Sequence, residues 1–185
     1  TRLRSMQLRL DRLGEGRAAR PQDETAALEE AQKLARIGSW SWVMETDVVT
    51  WSRNMRELVG WDLDSPPPSH EENRRIFDEG SWEQLTNAVE KAVGLAEPYE
   101  LDLSMRRLDG KTFQAIVRGE AVKDETGRVA RLHGTVQDIT ERKQAEVRLK
   151  ESEEKFRNLV EQSPLSIQIT NPDGKIIQVN PAFLK

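Results

Sequence analysis

The 185-residue sequence contains no cysteine. Disulfides, thiolate metal sites, cysteine nucleophiles and photochemistry through a cysteinyl–flavin bond are therefore excluded. It has two histidines, His70 and His133, which leaves little for a metal cluster. No apolar run approaches the roughly 18 residues of a membrane-spanning helix, and no signal-peptide pattern opens the chain. The first residue is Thr1, so the start reads as a cut inside a longer protein, and a membrane anchor in that parent is left open. Net charge is −4, which gives no basic footprint for nucleic acid. Neither a Walker A loop nor a dinucleotide-binding glycine pattern is present. Hydrophobic residues make up 36% of the chain and charged residues 32%, a mix that suits one modest core flanked by solvated helices.

Residues 1–20 place Leu3, Met6, Leu10 and Leu13 on one side of a short, arginine-rich helix; the plain reading is a solvated helix whose seam meets another helix, and a membrane surface or an acidic partner for the basic face is the alternative. A second helix is expected from Asp23 as N-cap, ended by Gly38. In Ser39–Met44 the tryptophans Trp40 and Trp42 alternate with serines, and Val48–Trp51 reads as the returning strand of a hairpin. A short helix from Asn54 ends at Gly60, and Pro66-Pro67-Pro68 forces an irregular loop. A helical piece over Glu71–Phe77 follows. Residues 81–94 form a helix capped by Ser81, with Leu85, Ala88, Val89 and Ala92 as its apolar stripe. Tyr99, Leu101, Leu103 and Met105 alternate with polar residues in a half-buried strand. Asp109-Gly110 is a hairpin turn, Thr112–Val122 the next strand, and Val129–Gln137 the last. Two strands, then helices, then three antiparallel strands argue an α+β domain with helices over one face of a five-stranded sheet.

Beyond this lies a long polar helix to about Gln162. Asp138-Ile139-Thr140-Glu141 has the form of a capping box with Asp138 as the cap. Ala145, Leu149, Ser152, Phe156 and Leu159 follow in a narrow heptad stripe among mixed charges. Such a helix has too little apolar surface to stand alone, and its own copy in a symmetric dimer is the simplest partner. The last 23 residues repeat the first hairpin: Ser166–Ile169 matches the strand of Trp40 and Trp42, and Ile176–Asn180 matches Val48–Ser52. The offset is about 127 residues, shifting by one across the turn.

The residues from Tyr99 through Lys111, then Arg118–Val122, Asp124–Arg128 and Leu132–Lys143 resemble PAS-domain signalling proteins, in particular the subclass found in bacterial sensor kinases. The most specific feature is Asp138-Ile139-Thr140 at the end of the last strand, a PAC-like motif that a charged helix follows. Glu153–Val160 with Ser163-Pro164 resembles the entry to another PAS unit. The proline loop at 66–68 departs from the His-Pro-x-Asp stretch common in the family. The resemblance implies a five-stranded antiparallel sheet in the order 2-1-5-4-3. It divides the chain into an N-terminal helix (1–22), a PAS domain (23–140), a signalling coiled-coil helix (141–162) and the first hairpin of an incomplete second PAS domain (163–185). It also implies a sensory or dimerising module of a cytoplasmic, multidomain, two-component-type protein rather than an enzyme. The homodimer would form through the N- and C-terminal helices, and the effector domain would lie downstream in the same chain. A histidine kinase or diguanylate cyclase is the implied output.

Candidate pocket residues are Trp40, Trp42, Trp51, Phe77, Leu85, Val89, Leu101, Leu103, Met105, Leu132, Gly134 and Val136. Five tryptophans can be plain core packing or aromatic walls for a flat ligand such as a flavin. The cofactor stays open, with none the plainest reading. Strand alternation turns His133 away from the pocket, which disfavours haem, and His70 after three prolines reads as solvated. Adjacent acids such as Asp124-Glu125 lie in turns, so no catalytic pair is assigned. The relay is assigned to Asp138, Ile139 and Thr140, where the last strand becomes the helix. Alanine at Asp138 and Thr140 is expected to change output and leave the fold intact. A cofactor-bearing redox or light sensor and a ligand-free dimerisation module are the alternatives.

Overall fold

The computed structural model describes residues 21–184. The basic helix expected over 1–20 lies outside the described residues. The chain divides into two compact units, the first ending at Asp138 and the second starting at Ile139.

The first unit holds α1 (Pro21–Leu34), β1 (Ile37–Val43), β2 (Val48–Trp51), α2 (Arg53–Val59), a 3-10 helix (Glu71–Ile76), α3 (Glu79–Leu95), β3 (Tyr99–Arg106), β4 (Thr112–Lys123) and β5 (Val129–Asp138). The five strands form one antiparallel sheet in the order β2-β1-β5-β4-β3. This is the α+β architecture and the strand order expected. Asp109 and Gly110 turn β3 into β4 as their types predict: Gly110 has φ 87°, and the N–H of Lys111 donates to Asp109 Oδ1 at 3.0 Å. The core joins α2 and α3 to the sheet, with Val59, Ala92, Met105 and Leu132 fully buried.

Three local expectations are corrected. Helix α1 starts at Pro21, whose fixed φ suits a first turn, so Asp23 lies inside the helix. It ends at Leu34, and Arg36 takes the positive φ (53°). Gly38 lies in β1 instead, where a Cβ would come within 2.5 Å of the Met55 Cα. Its glycine is therefore spent on close packing of α2 against β1. Asp78 caps α3 in place of Ser81, its carboxylate accepting the N–H of Ser81 at 2.8 Å. Ser81 is buried one turn in, and its hydroxyl accepts the N–H of Ser104, tying α3 to β3 at 3.0 Å.

The second unit holds α4 (Thr140–Gln162), β6 (Gln168–Thr170) and β7 (Ile176–Val179), the two strands paired antiparallel. The cap position of α4 falls to Ile139 and not to Asp138, because β5 runs one residue further than expected. Along α4, Leu149, Phe156 and Leu159 are 62%, 57% and 73% exposed.

At its open end the hairpin repeats the start of the first unit, before a register shift between Ile169 and Thr170 sets it apart. The N–H of Ser52 donates to the Ser39 carbonyl, and Ser52 Oγ accepts from the N–H groups of Ser39 and Met55 (3.0 and 3.1 Å). Likewise the N–H of Asn180 donates to the Ile167 carbonyl, and Asn180 Oδ1 accepts from the N–H groups of Ile167 and Phe183 (2.8 and 3.2 Å). The strand pairs agree, Trp40 with Trp51 and Gln168 with Val179. Each of these matches is 128 residues apart on both sides of the turn, which corrects the shifting offset read from sequence. Asn180 is buried, and its amide also donates to the carbonyls of Val160, Ser163 and Leu165.

Candidate functional site

Five registered residues cross the sheet in one row: Trp51, Trp40, Gly134, Gly119 and Tyr99. The two central glycines leave room that their neighbours fill. A Cβ on Gly134 would stand 2.8 Å from the Trp40 ring, and one on Gly119 would stand 2.5 Å from the Tyr99 hydroxyl. Both aromatic side chains thus lie over bare backbone, and above them a cavity of about 60 Å³ remains. Its lining comes from all five strands, α2, the 3-10 helix and α3.

Of the candidate residues, the structure brings Trp40, Trp42, Trp51 and Phe77 to this cavity, together with Leu85, Val89, Leu132 and Val136. Four others are not part of its lining. Leu103 and Met105 are buried on β3, the strand against which α3 packs, and Met105 bridges to Phe77. Leu101 is partly buried against the core. Gly134 is covered by Trp40. His133 is also absent from the lining, and its register partners are Ser41 and Glu120.

The residues that sequence reasoning missed supply the cavity's polar chemistry. His70 is not solvated: its ring stacks on Trp42 at 4.2 Å and 6°, with Trp82 at 5.7 Å. The 3-10 helix has three residues per turn, so His70, Asn73 and Ile76 fall in line along one wall. That spacing of three was the available signal. The loop that delivers His70 is pinned by Arg56, which donates to the carbonyls of Leu63 and Ser65 (2.6 and 2.9 Å). Tyr99 also lines the cavity, and burial raises its pKa above the ordinary tyrosine range, so its hydroxyl stays protonated. Asn73 Oδ1 and the Tyr99 hydroxyl are both buried without a hydrogen-bond partner in the protein.

Burial also pushes the His70 pKa below 6.5, with the charges of Asp47 and Glu71 acting in the opposite sense. The folded unit therefore holds His70 neutral below the pH at which the unfolded chain takes up a proton. The unfolded state binds more protons in that window, so stability falls as pH drops below about 6.5. The depressed carboxylates Asp78, Asp109 and Asp124 lose their contribution only below their ordinary range near 3.8. The urea midpoint is expected to fall between pH 7.5 and 5.5, and His70→Phe, which keeps a ring for stacking, is expected to flatten that fall. An unchanged slope in the variant would remove His70 as its source.

At the far end of β5, Asp138 has a side chain only 3% exposed. Its carboxylate lies 3.0 Å from the Arg107 guanidinium and 4.0 Å from that of Arg36, and its N–H donates to the Arg36 carbonyl. Arg107 also donates to the Leu58 carbonyl and sits 4.7 Å over the Phe113 ring. One arginine thus gathers the β3–β4 turn, the end of α2 and the end of β5. Thr140, two residues on, is the first residue of α4.

Residues 48–136 match a family model described as PAS fold. A sensory box histidine kinase/response regulator from Burkholderia thailandensis superposes with a TM-score of 0.56 at 23% identity, covering 71% of this chain and 98% of that one. The N-terminal domain of a diguanylate cyclase with PAS/PAC sensor from Marinobacter aquaeolei gives 0.51 at 22% identity, covering 56% and 95%. An uncharacterized protein of Sinorhizobium fredii is 30% identical over 84 residues, 45% of this chain, and the chain spans 10% of that protein's length.

Proposed function

Residues 48–136 belong to the PAS fold family, and on that premise we propose that this chain is the sensory and dimerising module of a bacterial signalling protein, passing a change in its cavity along β5 into α4. The observation that carries this reading is that one strand serves both ends. Leu132 and Val136 of β5 line the cavity, Asp138 ends the strand in the arginine cluster, and α4 follows directly in the chain. The exposed stripe of Leu149, Phe156 and Leu159 suits pairing with a second copy, whose mixed charges complement its own. The relay residues are Asp138, Ile139 and Thr140. A downstream domain of the same polypeptide takes the output, and the histidine kinase and diguanylate cyclase among the similar structures give its classes. Among the described residues no helix is long and apolar enough to cross a membrane, and a cytoplasmic place for this module goes with the proposal.

A ligand shifts such a module only by the difference in its affinity for two arrangements, so occupying the cavity by mutation should do the same. Val89→Phe in the full-length parent is expected to change kinase or cyclase output several-fold while near-ultraviolet circular dichroism shows a folded core. A folded variant with unaltered output would sink the sensory reading. It would favour a dimerisation module without a ligand. At about 60 Å³ the cavity is far below the several hundred Å³ of sites that hold large ligands, so a flavin or haem would have to displace wall side chains.

A further inference from the structure

We infer that the cavity takes a small, uncharged, ring-sized molecule bearing a hydroxyl group, held by Asn73 and Tyr99. This rests on the sensory reading above and adds the chemistry of the ligand. The walls are aromatic and aliphatic, and the two polar atoms among them that lack a partner in the protein are Asn73 Oδ1 and the Tyr99 hydroxyl. A buried polar atom without a partner costs free energy, so a ligand that satisfies one is favoured over an isostere that cannot. An amide oxygen can only accept, and a phenol both donates and accepts. A hydroxyl meets both needs: it donates to Asn73 and accepts from Tyr99.

Charge is excluded by the same walls. His70 is the one lining residue that titrates near neutral pH, it stacks on Trp42 with Trp82 tilted beside it, and the lining holds no lysine, arginine, aspartate or glutamate. A carboxylate or ammonium group would enter without a counter-charge, which is far costlier than burying a hydroxyl. Size sets the remaining limit. The cavity is several times the 10–15 Å³ that admits one water, yet well under the volume of a cofactor site.

Phenol and toluene match this test, since they differ only by hydroxyl against methyl, and benzoate adds a charge. Isothermal titration of the 185-residue chain is expected to show phenol binding about a hundredfold more tightly than toluene, the worth of two buried hydrogen bonds, and benzoate not binding. Asn73→Leu keeps the side-chain shape and removes one of the two bonds, so it is expected to cut the phenol preference to about tenfold while toluene binding stays the same, which also shows the cavity intact. Tyr99→Phe is the second variant should Asn73→Leu fail to fold, and it is expected to narrow the preference in the same direction. Toluene binding as well as phenol, benzoate binding at all, or phenol failing to bind a cavity that holds water alone would each overturn the assignment. These outcomes are separate from the output of Val89→Phe, so the ligand class can fail while the sensory role stands.

Discussion

Replacing Asp138 by alanine is expected to destabilise the first unit by about 2–4 kcal/mol, read from urea unfolding at neutral pH. The carboxylate is almost wholly buried, and it lies 3.0 Å from the guanidinium of Arg107, whose side chain is 29% exposed. Removing one member of such a pair leaves the other without its counter-charge, which costs more than the pair itself contributes. The Arg36 contact is longer and more exposed, and contributes little. Asp138→Asn keeps the shape and a hydrogen-bonding oxygen, so its loss should be about half as large. A double-mutant cycle with Arg107→Ala should return a coupling of about 1–3 kcal/mol. A loss below about 0.5 kcal/mol for Asp138→Ala would place the residue among ordinary surface positions and remove the cluster as the anchor of β5. Sequence reading expects alanine here to spare the fold. The buried ion pair reverses that expectation and makes asparagine the fitter probe of signal relay.

Asp138 shows where legibility ended. Asp-Ile-Thr-Glu has the form of a capping box, and the pattern does not say whether the aspartate faces the helix or an arginine from elsewhere. Arg107 pairs with the aspartate, and in sequence it is one charged residue beside a turn. The same holds for glycines. Gly60 and Gly110 were readable because a local backbone turn demands them. Gly38 and Gly119 answer instead to Met55 and Tyr99, and Gly134 first to the Arg118 carbonyl and then to Trp40, all of which approach from other elements. The alternation of β3 and the Asp-Gly turn were local and came through intact, as did the strand order once the family resemblance was added. His70 and Asn73 were missed because a 3-10 helix repeats every three residues, which neither the helical nor the strand period matches. The hydrophobic half of the cavity was legible as apolar periodicity. Its polar half rested on the spacing of three among His70, Asn73 and Ile76, which neither of those periods reads.

The pairing of α4 is where the functional account is most exposed. The helix runs 23 residues, and its apolar stripe faces solvent at Leu149, Phe156 and Leu159. An isolated helix of this polarity is marginal in water, so its stability is expected to come from a neighbour. Burying two large apolar side chains per copy contributes roughly 1.5–3 kcal/mol each. Charging both should therefore weaken association by about a hundredfold or more. Sedimentation equilibrium of the chain, alone and as the Leu149→Glu, Phe156→Glu double variant, measures this directly. A dimer that the double variant turns into a folded monomer is the expected result. A chain that stays monomeric at every concentration, or a dimer that survives both charges, would contradict transmission through paired helices.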